Sequence, residues 1–186
     1  SIWDGLRLTA NEIFYFKSKL LPVHAVTTIN AMAYAFRVAG SDNNKRLLLL
    51  QAAGWMPMMR DTLRGMIGLS LDGPGLDELA PSTNGHVSLD DVFSDSSPRL
   101  AMRFMGDAAR REQFIQRSLH LHVRKSRDAH RYKYSAAIYE ESRLIHPDFA
   151  DCLLAASTNY LPNSKWNDSK IYLQAKEVLA SLKRGE

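Results

Sequence analysis

From Pro98 to Ile145 the chain carries helical periodicity, with no further proline and no glycine beyond Gly106. One straight helix of that extent is about 70 Å long at 1.5 Å per residue, whereas a domain of this length is only about 40 Å across. The segment therefore has to fold back on itself. The reversal is expected at Lys125 to Asp128, where the apolar residues stop and Ser126 or Asp128 can cap a new helix. Two antiparallel helices joined this closely bury their apolar stripes on other helices, which sets the class as all-α.

The flanking sequence agrees. Trp3 to Leu21 reads as a first helix closed by Pro22, and Val23 to Ala39 as a second, stopped by Gly40. Ser41 or Asp42 caps a third, in which Pro57 predicts a kink or a break. Leu71 to Ser97 then carries Gly73, Pro74, Gly75, Pro81, Asn84 and Gly85 with no sustained period, so residues 71–97 are expected to form one long acidic loop with His86 inside it. Ser97 with Pro98, and Pro147 after His146, are helix starts. LPNSKWNDS is a turn, and Asp168 or Ser169 opens a last helix. Strand patterns and internal repeats are absent. The expectation is a single domain, 1–186, built as a compact bundle of six to eight helices.

A chain of 186 residues buries enough apolar surface to fold without disulfides. Its one cysteine, Cys152, sits among helix-forming hydrophobes and reads as a packing residue. No window approaches the run of roughly 18 apolar residues that spans a bilayer. The opening SIWDGLRLTANEIFYF lacks the basic start and cleavage site of a signal peptide, so the expected location is cytoplasmic, without membrane association. Ser1 fits methionine removal, a boundary within a longer protein, or a fragment.

Charge is unevenly spread. Ser70 to Ser97 holds six acids and no lysine or arginine, whereas Arg99 to Lys133 holds ten bases against three acids. A basic face over 110–133 suits an anionic partner, an acidic protein more than nucleic acid.

Polar groups also fall on apolar seams. Steps of four and three place Ala101, Met105, Ala108, Glu112, Ile115, Leu119 and His122 on one face, and His130, Tyr134, Ala137, Glu141 and Leu144 on the next. His120 diverges from His122 by about 200° and does not chelate with it. Across the expected reversal His122 and His130 stand at similar heights. His122, His130 and Glu141 thus supply the imidazole and carboxylate donors that suit a metal such as iron, or haem, although His130 and Glu141, on one helix, are too far apart to hold one ion together. Ordinary core histidines at helix ends satisfy the same pattern. His24 opens the second helix above a stripe of Thr28, Ala31 and Ala35 that admits a helix or a flat ligand. Phosphate-binding glycine loops and nucleophile motifs are missing.

The stretches HAVTTINAMAYAFR, RLLLLQAAGWMPMMRD and HRYKYSAAIYEESRLIHPDFADCLLAAS resemble the second half of proteins in the questin oxidase-like family, over roughly Leu21 to Asn159. That resemblance implies a helical protein of oxygen-dependent ring oxidation, acting on polyketide-type aromatics, and points to His24 and to His130 with Lys133. Members of that family are longer, and their histidine-rich first half has no counterpart here. The resemblance thus implies a fragment, a second chain supplying the missing half, or a relative with another role. Two readings follow. One is an oxygenase-like oxidoreductase, a monooxygenase in type, holding a hydrophobic small molecule, with His24, His122 and His130 as metal, haem or acid/base residues and Lys133 and Tyr134 orienting the substrate. The other is a non-catalytic helical module that docks an anionic partner.

Overall fold

The computed structural model describes residues 1–73, 75–79 and 86–183. Those residues form nine α-helices and no strand. In chain order they are α1 (Ile2–Phe16), α2 (Leu20–Val38), α3 (Asp42–Ile67), α4 (Leu89–Asp95), α5 (Pro98–Phe104), α6 (Ala108–Lys125), α7 (Ala129–Leu144), α8 (Pro147–Ser157) and α9 (Lys170–Leu182), with a 3-10 turn at Leu76–Glu78. The all-α expectation holds.

Most boundaries are made by side chains that satisfy the backbone N–H groups left open at a helix start. Ser41, Ser97, Asp107, Asp128 and Ser169 each accept from a first-turn N–H. The reversal falls at Ser126 to Asp128, as its capping residues require.

Four boundaries differ from expectation. Pro22 lies inside the first turn of α2 rather than closing α1, where a missing N–H forfeits no helical bond. α3 runs through Pro57 without a break, which leaves the kink as the surviving alternative; Ala53, whose carbonyl the proline leaves free, is exposed, so water can take that bond. The helix after Pro98 stops at Met105 and restarts on the Asp107 cap. Finally, α4 occupies part of the segment expected as loop, because Ser88 and Asp91 form a reciprocal capping box. Residues 74 and 80–85 of that expected loop lie outside the described residues, and His86 is exposed.

The core forms where α1 packs on α2 and α8, α2 on α3 and α7, and α7 and α5 on α8. At its centre Phe14, Tyr134 and Tyr160 form a triad, with ring centroids 4.3 Å apart for Phe14 and Tyr134, 5.5 Å for Phe14 and Tyr160, and 5.3 Å for Tyr134 and Tyr160. Phe14 and Tyr134, both fully buried, each contribute about 1.5–3 kcal/mol by leaving water, and Tyr160 is half-buried against them. Cys152 is half-buried against this core. By contrast α9 buries none of its residues.

Candidate functional site: a basic cleft beside the helical reversal

The break at Met105 separates α6 from α5, and α6 buries a face that only partly overlaps the expected seam. Phe114, Ile115, Ser118, Leu121, His122 and Lys125 face inward on α6. Glu112, expected on the apolar seam, instead reaches solvent, where its carboxylate lies 3.1 Å from Arg143 Nη2. His120 is exposed and His122 is buried, as their angular separation requires.

His122 is 2% exposed and shares a 2.7 Å hydrogen bond between Nδ1 and Ser126 Oγ. Its ring stands 5.8 Å from Tyr132, and its Nε2 has no hydrogen-bond partner among the described residues. Burial, reinforced by the nearby Arg131 charge and opposed by Asp128, pushes the imidazole down to about 4. The fold therefore holds His122 neutral. Because an unfolded His122 takes a proton near pH 6.5 and the folded one does not, stability is complete above 6.5 and falls as pH drops toward 4, by about 3 kcal/mol in all. Urea unfolding at stepped pH should show this loss in the wild type and a shallower slope in His122→Gln. Equal slopes would contradict it.

His130 turns to a different neighbour. Its ring meets that of His24 on α2 edge-on, with centroids 5.9 Å apart, and its Nδ1 lies 3.7 Å from Asp128 Oδ1. The structure thus brings His24 and His130 together, and His24 is exposed. Lys133 is also exposed. Tyr134 is sealed in the aromatic triad at 0% exposure, with its hydroxyl unpartnered among the described residues and its ionisation pushed well up by burial. A phenol so placed neither reaches a substrate nor exchanges a proton near neutral pH, which corrects the substrate-orienting role expected for Tyr134.

The metal set of His122, His130 and Glu141 is not assembled. Glu141, 1% exposed, accepts from Arg7 Nε on α1 through Oε2 and from Asn30 Nδ2 on α2 through Oε1 at 2.9 Å. Its oxygens are already engaged by a cation and an amide. Among the described residues no three His, Cys, Asp or Glu side chains are grouped to hold a metal ion. These residues do not fit an iron or haem ligand set. The buried Arg7–Glu141 pair joins α1 to α7, with Asp4 Oδ1 at 3.5 Å from Arg7 Nη1 and Asn30 Nδ2 also reaching Glu140 Oε2 at 3.0 Å. Glu141 stands out on its own helical seam, whereas its partners lie on α1 and α2. The signal available was Arg7 itself, a charge among the apolar residues of α1, together with Asp4 and Asn11 on the same helical face.

What the fold gathers instead is a cleft of about 550 Å³ lined by Lys125, Arg127, Asp128, Arg131, Lys165, Trp166 and Asn167. The first four come from the helical reversal and the other three from the loop before α9. That loop is pinned at both ends. Asn163 Nδ2 donates to the Ser94 carbonyl at 2.8 Å and to Ser96 Oγ at 3.0 Å, and Ser164 N donates to the Phe93 carbonyl at 2.9 Å. At the other end Ser169 N donates to the Arg124 carbonyl at 2.7 Å, and Asp168 takes two hydrogen bonds from Arg124 Nε and Nη2 while lying 3.4 Å from Lys125 Nζ. Those bonds from Arg124 hold the Asp168 carboxyl below the usual carboxylate range. Lys125 Nζ also donates to the Trp166 carbonyl.

Arg131 is clamped between two aromatic faces, 4.5 Å from the Tyr160 ring and 4.8 Å from the Trp166 ring, and donates to the Tyr160 carbonyl. Asp128 is committed to the start of α7, accepting from the N–H groups of His130 and Arg131. Two cations remain available: Arg127 is exposed with no ion pair among the described residues, and Lys165 touches only the exposed Asp95 at 3.4 Å. No family model, curated protein or solved structure matches this chain. The resemblance to the questin oxidase-like family rests on the quoted residues alone.

The basic block itself is mostly neutralised. Arg111 pairs with Asp151 at 2.8 Å, Arg117 with Asp90 at 2.7 Å and Arg124 with Asp168 at 2.8 Å. Arg110 lies over the Phe104 ring and donates to its carbonyl. At the cleft, Arg127 and the 40% exposed Trp166 come together. Among the described residues no helix is long and apolar enough to cross a membrane.

Proposed function

We propose that this protein is a helical binding module that docks an acidic segment of a partner protein in the cleft between the α6–α7 reversal and Trp166. The observation that carries the reading is the lining: four cations against one carboxylate, beside a tryptophan that is 40% exposed. Arg127 and Lys165 take the partner's carboxylates, and Trp166 takes an apolar or aromatic neighbour on the same segment. A nucleic-acid strand calls for a basic track with repeated stacking platforms, whereas the arginines along α6 are spent on Asp90, Asp151 and Asp168. The cleft is local, and its pinned loop costs little ordering on binding.

The test is anisotropy titration of a labelled peptide rich in glutamate and aspartate with an embedded leucine. Arg127→Glu with Lys165→Glu should weaken binding at least about tenfold, or 1.4 kcal/mol. Arg60→Glu with Arg64→Glu on α3 should leave it unchanged. Equal weakening by both pairs, or by neither, would refute the docking site.

A second reading, the oxygenase-like oxidoreductase acting on an aromatic small molecule, is favoured by the approach of His24 to His130 at an open surface between α2 and α7. Two imidazoles so placed can pass a proton to or from a phenolic substrate. Oxygen uptake with such phenols, abolished in His130→Ala at unchanged helix content, supports this reading. Its absence with every phenol supplied counts against it.

A further inference from the structure

We infer that α9 is an interfacial helix that lays its apolar side on an anionic membrane surface. α9 has 13 residues and buries none of them. At about 100° per residue, Val178, Ile171, Leu182, Ala175, Leu179 and Tyr172 follow one another round an arc of about 120°. Ile171, Val178, Leu179 and Leu182 are 73%, 57%, 60% and 64% exposed. Val123 of α6, itself 62% exposed, carries the apolar surface across a groove of about 430 Å³ that it shares with Leu179.

Charge selects the occupant. Lys183 and Lys176 come next round the helix, about 20° and 40° beyond Tyr172. Both are exposed, both line the groove beside Val123, and neither has an ion pair among the described residues. No carboxylate joins them in that lining among the described residues. Glu177, the one acid of α9, stands about 160° from the centre of the arc and is turned away from it. An anionic interface calls for this distribution, because the lysine stems lie along the apolar strip while their ammonium groups reach the headgroups.

Shape points the same way. The exposed strip runs the length of α9, about 20 Å, on a helix that stands out from the bundle. A single amphiphile or a partner helix seated in the groove beside Val123 would cover one flank of the arc and leave Ile171, Val178 and Leu182 in water, whereas a bilayer surface covers both. Such attachment is peripheral. It departs from the expected absence of membrane contact, which rested on the missing spanning run, because a helix lying in the interface needs only one apolar side. It does not depend on the docking proposed for the basic cleft.

Cosedimentation of the whole chain with vesicles tests the inference, using phosphatidylcholine alone and equal parts phosphatidylcholine and phosphatidylserine. The wild type should partition onto the mixed vesicles at least about tenfold more strongly than onto the neutral ones. Val178→Glu, at the apolar arc, should lower that partition at least about tenfold, and so should Lys176→Gln with Lys183→Gln. Leu173→Gln, on the far side of α9, should leave it unchanged. All four positions are exposed, so the variants should keep the fold. A wild type that stays in solution overturns the inference, as does equal partition onto both vesicles or equal loss in Leu173→Gln. Binding that survives Val178→Glu and disappears in Arg127→Glu with Lys165→Glu would place the lipid contact at the basic cleft and overturn it too. If vesicles leave the protein in solution while Val178→Glu abolishes binding of the acidic peptide, the occupant of α9 is a protein segment and the inference falls.

Discussion

Glu141→Ala should destabilise the protein by about 3–5 kcal/mol, the usual cost of leaving one member of a buried ion pair without its partner. The loss falls toward the lower end because Asp4 Oδ1 stays 3.5 Å from Arg7 Nη1. Arg7 and Glu141 have side chains only 7% and 2% exposed, and burial is the leading influence that lowers the affinity of Arg7 for its proton. Against a domain stability of about 5–15 kcal/mol, removal of Glu141 brings the fold near its limit. The pair is nonetheless replaceable as a unit. Arg7→Met combined with Glu141→Leu should cost far less than the two single changes summed, because hydrophobic packing removes both desolvation penalties. Urea titrations of the four proteins in the cycle measure this. A double variant as damaged as the sum would show instead that the two side chains act independently and not as a coupled pair.

Phe14→Ala should cost a similar amount, about 3–5 kcal/mol, through a cavity at the centre of the core. Phe14 is 0% exposed and lies tilted on Tyr134, with the Tyr160 ring against its edge. Deleting it removes two aromatic contacts as well as buried area. Because Tyr160 also supplies a ring and a carbonyl to Arg131, the cavity should loosen one wall of the basic cleft. Phe14→Leu, which refills most of the volume, should restore much of the stability. Equal losses for Phe14→Ala and Phe14→Leu would indicate that the aromatic geometry itself, rather than volume, holds this core.

The legible part of the fold was its punctuation. Ser41, Ser97, Asp128, Ser169 and the two helix-opening prolines act within three or four residues of themselves, so the sequence displays them directly. The Gly106–Asp107 break also had a local signal, a flexible residue followed by a capping one. Aligning α6 with Ala101 and Met105 across that break placed Glu112 on the seam, whereas the buried face of α6 is centred on Phe114, Ser118, Leu121 and Lys125 and leaves Glu112 in solvent.

The site was legible only in halves. The basic run up to Lys133 was visible as a charge block, and Glu141 stood out on its seam. What Glu141 meets depends on Arg7 and Asn30, carried by other helices. Likewise the cleft needs Lys165 and Trp166, returned to the reversal by α8 and its following loop. Contacts of that sequence separation leave no periodic trace.

The tryptophans offer the most direct check on the docking proposal. Trp3 and Trp55 are partly buried against the core, whereas Trp166 stands at the cleft. In a nitrogen-15 spectrum, titration with the acidic peptide should move the Trp166 indole resonance in a saturable way and leave those of Trp3 and Trp55 in place. Binding heat with an unmoved Trp166, or no binding at all, would contradict it.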